Sequence, residues 1–93
     1  MRRAAKIDDS HSEIVSGLRQ AGCRVLSLAA IGHGCPDLLA LSGGRLYLLE
    51  VKNPDMPPSK RRLTADQSTF HSLWPVSVVM NIEQALKAVG ATK

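Results

Sequence analysis

The chain has 93 residues, with 12 Lys or Arg against 8 Asp or Glu, so its formal net charge at pH 7 is +4. This length supports one domain over residues 1–93 with one modest core, and an apolar content of 44% excludes a disordered chain. No apolar run approaches the ~20 residues that cross a bilayer, and no hydrophobic signal region follows the basic start. We therefore expect a cytoplasmic protein with no membrane partner. The mild basic excess favours an anionic partner, of which nucleic acid is the commonest.

The first third of the chain predicts an arm, a helix and a strand. Residues 1–9 are charged and indicate a flexible basic arm. The segment Ser10–Glu13 fits a capping box, which predicts a helix that begins there and ends at Gly22. The leucine and valine content of residues 23–30 then favours a strand.

Two apolar runs in the middle of the chain predict a hairpin. They span 37–41 and 46–52, and Gly43 and Gly44 lie between them, which is the residue pair that a tight hairpin turn favours. The loop that we expect next, over 53–63, contains three prolines and a basic trio, and its length is typical of a functional loop.

The last third predicts a helix, a strand and a helix. The segment Thr64–Gln67 matches a second capping box, and it opens a helix that Pro75 ends. The apolar stripe on that helix predicts core packing for Phe70, Leu73 and Trp74. A strand over 76–80 and a helix capped by Asn81 and closed by Gly90 complete the order α-β-β-β-α-β-α. This order predicts an α/β sandwich with a mixed sheet.

The register of the hairpin places two acids opposite each other. Counting outward from the Gly43–Gly44 turn pairs Asp37 with Glu50 at a non-hydrogen-bonded position. The Cα atoms of such a pair lie about 4.5 Å apart, and both side chains point to one face, which Lys52 shares by the two-residue period. Opposed carboxylates repel, and a divalent cation such as Mg²⁺ or Mn²⁺ offsets that repulsion. Alternatively, Lys52 neutralises the acids as a buried salt-bridge cluster.

These residues resemble a nuclease motif. The segment 34–37 (Gly-Cys-Pro-Asp), a hairpin and the segment 50–52 (Glu-Val-Lys) look like the PD-(D/E)XK motif. Leu63, Thr64 and Gln67, with the upstream helical Glu13, sharpen the match. Over roughly residues 10–80 the chain is similar to VRR-Nuc, the virus-type replication-repair nuclease domain, in the small stand-alone form found in phages and bacteria. The resemblance implies a restriction-endonuclease-like α/β sandwich with a mixed central sheet.

The resemblance also implies an activity and a role for each matching residue. It implies a metal-dependent DNA endonuclease that uses Mg²⁺ or Mn²⁺ and no small-molecule cofactor, and a homodimer similar to junction-resolving nucleases that act on branched DNA such as four-way junctions. The catalytic set that it implies is Asp37, Glu50, Lys52 and Gln67. The metal ligands that it implies are Glu13, Asp37, Glu50 and the backbone carbonyl of Val51.

Simpler interpretations stand beside these roles. Glu13 and Gln67 are also the third members of their capping boxes. The candidate DNA-binding residues either belong to a solvated loop with no binding role or contact phosphates beside the site. They are Lys60, Arg61, Arg62 and His33. The rival function is a non-catalytic nucleic-acid-binding module that uses the basic loop and keeps the acids as salt bridges. A nuclease that acts on RNA is a third possibility.

Overall fold

A computed structural model describes residues 9–91 of the chain. The predicted basic arm therefore lies outside the described residues, except for Asp9, which begins the first helix. The elements in chain order are α1 (Asp9–Gln20), β1 (Arg24–Ser27), β2 (Leu38–Ser42), β3 (Arg45–Val51), α2 (Pro58–Arg61), α3 (Ala65–Leu73), β4 (Val76–Val79) and α4 (Ile82–Ala88). Apart from the added turn of α2, this is the predicted order. None of the described helices has the length and apolar character that crossing a membrane requires.

The four strands form one mixed sheet in the order β1-β2-β3-β4. The first three strands pair antiparallel, and β4 pairs parallel to β3. A parallel neighbour needs a long crossover connection, and α2 and α3 lie in that connection. The predicted mixed sheet is confirmed.

The hairpin between β2 and β3 has the predicted turn and register. Gly43 and Gly44 both have positive φ, at 57° and 79°, which is the conformation that a type I′ turn demands and glycine adopts without strain. Ser42 faces Arg45 across the turn, and the pairing continues in step to Leu38 opposite Leu49. Asp37 and Glu50 follow that last pair directly.

The core lies between one face of the sheet and the two helices α1 and α4. A close approach of these helices occurs at Gly17, where a Cβ atom would collide with the side chain of Ile82. The buried apolar side chains of this core include Ile14, Leu18, Leu38, Ala40, Leu49, Val79, Ala85 and Val89.

The ends of α1 confirm one prediction and correct another. Cys23 N–H donates to the Leu18 carbonyl and Gly22 N–H to the Arg19 carbonyl, each at 3.0 Å, and Gly22 has a φ of 94°. The helix therefore ends at Gly22, as predicted, and it does so through a Schellman motif. Its start is different, because the helix begins at Asp9 and Ser10 lies inside it. The prediction of Ser10 as the helix cap is therefore wrong.

The crossover corrects two further predictions. Residues 58–61, expected in a loop, form the one-turn helix α2, because Pro58 stands at the first helical position, where its fixed φ suits a helix. The predicted core packing of the α3 stripe is also wrong: Leu73 and Trp74 are 74% and 53% exposed, and no residue of α3 is buried. Phe70 instead stacks on Trp74, with ring centroids 5.4 Å apart.

Candidate functional site

Asp37 extends the hairpin beyond its last regular pair. Its backbone carbonyl accepts the N–H of Leu28 (2.7 Å), which continues the pairing with β1. Its side-chain Oδ2 accepts the N–H of Val51 (2.7 Å), so a carboxylate bonds to the backbone of β3. This bond holds the carboxyl group of Asp37 at the end of β3, beside Glu50.

Glu50 is 3% exposed, and among the described residues it is the one charged residue that is buried. Its Oε2 accepts the Nε2–H of Gln67 (3.0 Å) and pairs with Lys52 Nζ at 3.5 Å. Its Oε1 is also buried but has no hydrogen-bond partner in the described structure. Burial, and then the charge of Asp37, raise the pKa of Glu50 to about 7, against the opposing effect of Lys52. The site therefore contains a buried acid whose ionised form is destabilised and whose Oε1 has no described partner.

Gln67 joins the helix cap to the site. Its side-chain Oε1 accepts the N–H of Thr64 (2.9 Å), and Thr64 Oγ1 accepts the N–H of Gln67 (3.1 Å), so the predicted capping box of α3 is confirmed. The same Oε1 accepts Lys52 Nζ–H at 3.2 Å. From the sequence, helix capping and a role in the site were alternatives for Gln67. In the structure its side-chain amide makes both sets of contacts.

A glycine brings the loop before Asp37 against the first turn of α3. Gly32, His33 and Gly34 all have left-handed φ, at 73°, 57° and 82°. A Cβ atom on Gly34 would collide with the backbone carbonyl of Asp66 and would lie 2.9 Å from the N of Gln67. The glycine therefore permits the contact that places the loop of Asp37 next to the residue that holds Glu50 and Lys52.

Glu13 makes no described hydrogen bond or ion pair with the other candidate metal ligands. It is exposed on α1 and lines a groove with Gly17 and Ile82. No described hydrogen bond or ion pair links it to Asp37 or Glu50, and within residues 9–91 no group of three or more His, Cys, Asp or Glu side chains could hold a metal ion. Its role as a ligand stays a prediction.

The candidate DNA-binding residues occupy different environments. His33 and Arg62 are exposed. Arg61 is partly buried, its Nη1 lies 3.8 Å from Met80 Sδ, and its buried Nε has no partner in the described structure. Lys60 belongs to α2, and its side chain lies outside the described part of the structure. Their contact with DNA stays a prediction.

His71 is a residue of the site region for which the sequence predicted no role. It lies one helical turn after Gln67, its Nε2 is buried with no partner in the described structure, and burial followed by the charge of Lys52 lowers its pKa. The four-residue spacing from Gln67 is the sequence signal that places both side chains on one face of α3.

Comparison with known proteins identifies the fold. The chain is similar to a solved structure described as a VRR_NUC domain, with a TM-score of 0.64 and 23% sequence identity over 91% of this chain and 95% of that chain. No protein-family model and no curated protein matches the chain. At this identity the likeness shows a shared fold, and it confirms the predicted VRR-Nuc architecture.

Proposed function

We propose that this chain, which has the fold of a VRR_NUC domain, is a divalent-metal-dependent nuclease that hydrolyses DNA phosphodiester bonds. The observation that carries the proposal is the arrangement of Glu50. It is a buried carboxylate beside Asp37 and Lys52, and one of its oxygens has no hydrogen-bond partner among the described residues. A buried acid left in this state costs stability, so its retention indicates a ligand for that oxygen.

The donor set fits Mg²⁺ or Mn²⁺. Both ions prefer hard oxygen ligands, and the free Oε1 of Glu50 and the carboxylate of Asp37 are such donors. The backbone carbonyl of Val51 is the third donor that we assign. Glu13, which the resemblance implies as a further ligand, lines a groove with Ile82 and is not part of this donor set. With a cation held by the two acids, the pKa of Glu50 would be lower, because the positive charge would offset both the burial of Glu50 and its repulsion by Asp37.

Each residue of the site has a role in hydrolysis. The bound cation supplies Lewis acidity toward a phosphoryl oxygen. Lys52, held by Gln67 Oε1 and Glu50 Oε2, presents a positive charge to the phosphate as negative charge develops on it. Gln67 positions Glu50 and Lys52 through its two hydrogen bonds, and because its bond to Glu50 uses Oε2, Oε1 stays available to a ligand.

The charge of the chain supports DNA as the substrate. The formal net charge is +4, and three basic residues follow the site in the crossover. We assign phosphate contacts to Lys60, Arg61 and Arg62, and a contact near the cleaved bond to His33. Each phosphate contact adds to the salt dependence of binding.

Branched DNA and a homodimer are part of the same proposal. A domain of this size with one acid pair cuts one strand at a time. Paired cuts across a four-way junction require two sites, which a two-fold symmetric homodimer supplies. We expect this activity in the cytoplasm.

The test is cleavage of a four-way junction and of plasmid DNA with Mg²⁺ or Mn²⁺. We expect cleavage that EDTA stops, and a loss of about 100-fold or more in the rate of Lys52→Ala with DNA binding retained. The matched control is Lys87→Ala, an exposed lysine on α4, which should cut like the wild type.

The rival function, a non-catalytic nucleic-acid-binding module, rests on the ion pair between Lys52 and Glu50, which lie 3.5 Å apart. In that case the wild type binds DNA in EDTA and cuts no DNA under either cation. A matched RNA substrate in the same assay separates a ribonuclease from a deoxyribonuclease, since only RNA carries the 2′-hydroxyl.

A further inference from the structure

Two of the three aromatic side chains in the sequence lie on the surface at α3 instead of in the core. The described core is built from aliphatic side chains and one cysteine, whereas Phe70 is half-buried and Trp74 is 53% exposed. Aromatic side chains have large apolar areas, so a small domain gains much stability by burying them. Their position at α3 therefore indicates a role other than core packing.

The two aromatic rings stack on each other. Their centroids lie 5.4 Å apart and their planes differ by 15°. The backbone N–H of Trp74 donates to the Phe70 carbonyl (2.9 Å), which holds the indole at the C-terminal end of α3. Because Phe70 covers one face of the indole, the exposed area of Trp74 belongs to its other face and its edges. The pair, which we call the aromatic platform, thus presents a flat π surface to solvent.

The aromatic platform lies on the same face of α3 as the site residue Gln67. Phe70 and Trp74 follow Gln67 by three and seven residues, and both spacings return to one face of a helix. Seven residues rise by ~10 Å along a helix, and stacked nucleotides of one DNA strand are about 3.4 Å apart. The indole therefore lies about three nucleotides from the amide that bonds Glu50 and Lys52.

A positive charge adjoins the aromatic platform. The exposed Arg45, next to the hairpin turn, lines one cavity with Leu46 and Pro75, and Pro75 directly follows Trp74. An arginine at this position can contact the phosphate of a nucleotide whose base stacks on the indole. Together with the net charge of +4, this favours an anionic ligand that carries a flat ring, and it disfavours a cationic or a purely aliphatic ligand.

A nucleobase meets these requirements. Every base has a π face that stacks on an aromatic side chain, and this stacking tolerates any sequence. Within a duplex the neighbouring base pairs cover both faces of each base, so only an unpaired base can use the aromatic platform.

We propose that the aromatic platform of Phe70 and Trp74 binds an unpaired base of DNA, about three nucleotides from the phosphate at the acid pair. The identity of the ligand as DNA rests on the proposed function. The stacking adds the structural feature that the domain selects, which is a base outside a double helix close to the bond that is cut.

The experiment uses the indole of Trp74 as its probe, because the sequence contains one tryptophan. Emission is followed in EDTA, where the proposed enzyme does not cut, during titration with a short single strand or with a long duplex at equal nucleotide concentration. The anisotropy of labelled DNA reports the binding of each in parallel. We expect the single strand to quench the emission as it binds, and the duplex to bind without quenching.

Three variants separate stacking from apolar contact. Trp74→Leu keeps a large apolar side chain without a π face, and it should bind the single strand about 5- to 150-fold more weakly, the range for loss of one base–aromatic stack. Trp74→Phe keeps a ring and should bind within about 5-fold of the wild type. The matched control, Leu73→Ala, truncates a 74% exposed neighbour on another face of α3 and should bind as the wild type does. Duplex affinity should be equal in all four proteins, and circular dichroism should show one fold.

Emission that the single strand leaves unchanged, or a Trp74→Leu variant that binds as tightly as Trp74→Phe, would overturn the proposal. So would an emission maximum that moves to shorter wavelength as the protein alone is concentrated, because a second copy would then cover the indole. Cleavage assays with Mg²⁺ on the same samples report the proposed function separately. Quenching without cleavage keeps the aromatic platform and removes the nuclease, whereas cleavage without quenching removes the aromatic platform and keeps the nuclease.

Discussion

The helices on the two sides of the sheet are held in place in different ways. On the core side, α1 and α4 contribute Ile14, Leu18, Ala85 and Val89, each no more than 2% exposed. On the site side, α3 has no buried residue, and its first turn is held by the hydrogen bonds of Gln67 and by the close approach of Gly34. The apolar layer stabilises the fold, and the polar layer arranges the candidate site.

This difference explains how the domain tolerates Glu50, a buried acid with one oxygen that has no described hydrogen-bond partner. The core between the sheet and α1 and α4 contains no charged residue among those described, and Glu50 lies on the opposite side of the sheet. The cost of burying a partly unpaired carboxylate is thus borne in the layer that arranges the candidate site, while the apolar core keeps the protein folded.

The largest expected effect is on the free energy of unfolding, which should respond to truncations in the core helices and not to truncations on α3. Leu18→Ala should lower the free energy of unfolding by about 2–5 kcal/mol, because it leaves a cavity in the core. Leu73→Ala, which truncates the same side chain on exposed α3, should change that free energy by no more than about 0.5 kcal/mol. Urea denaturation measures both. Comparable losses in the two variants would show that α3 is packed as tightly as α1.

A smaller effect tests how α3 is positioned. Gly34→Ala and Gly32→Ala both force a side chain into left-handed φ, at a cost of roughly 1–2 kcal/mol each. Only the alanine at 34 also meets the backbone of Asp66, whereas nothing lies within 4 Å of a Cβ atom on Gly32. We therefore expect Gly34→Ala to be less stable than Gly32→Ala by a further ~1–3 kcal/mol.

The amide signals of α3 give the second measurement on these variants. Gly34→Ala should shift the NMR signal of the Gln67 amide, because the first turn of α3 must move, and Gly32→Ala should leave that signal in place. Equal stabilities together with an unmoved Gln67 signal would show that Gly34 does not position the helix.

The hairpin and its acid pair could be predicted from the sequence because local rules determine them. A two-residue period and a Gly43–Gly44 turn leave one register, and that register places Asp37 beside Glu50. The capping box at Thr64 is equally local and was confirmed. The one predicted at Ser10 was wrong, because the helix already begins at Asp9, and a four-residue pattern does not reveal how far upstream a helix extends.

The remaining features depend on contacts between distant segments. The stripe at Phe70, Leu73 and Trp74 indicates an amphipathic helix, but the sequence does not show whether another element covers that stripe, and none buries it within residues 9–91. The approach of Gly34 to Asp66 likewise joins segments that are far apart in sequence. Such contacts follow from the whole fold and leave no local pattern.

Whether Asp37 and Glu50 together hold a divalent cation can be decided from the free energy of unfolding, measured against pH with and without Mg²⁺. The pKa of Glu50 is about 7 in the folded chain against 4.5 as the ordinary value, so the folded state holds the proton more tightly. Without Mg²⁺, stability should therefore fall as pH rises from 4.5 to about 7, by up to about 3 kcal/mol, and this fall should be absent in Glu50→Gln.

Saturating Mg²⁺ should raise the stability of the wild type most above pH 7, where Glu50 is ionised, because the ion binds the folded state alone. Asp37→Asn should lose most of this stabilisation while keeping its fold. If Mg²⁺ left the free energy of unfolding of the wild type unchanged at every pH, or stabilised Asp37→Asn as strongly as the wild type, the two acids would not share a cation.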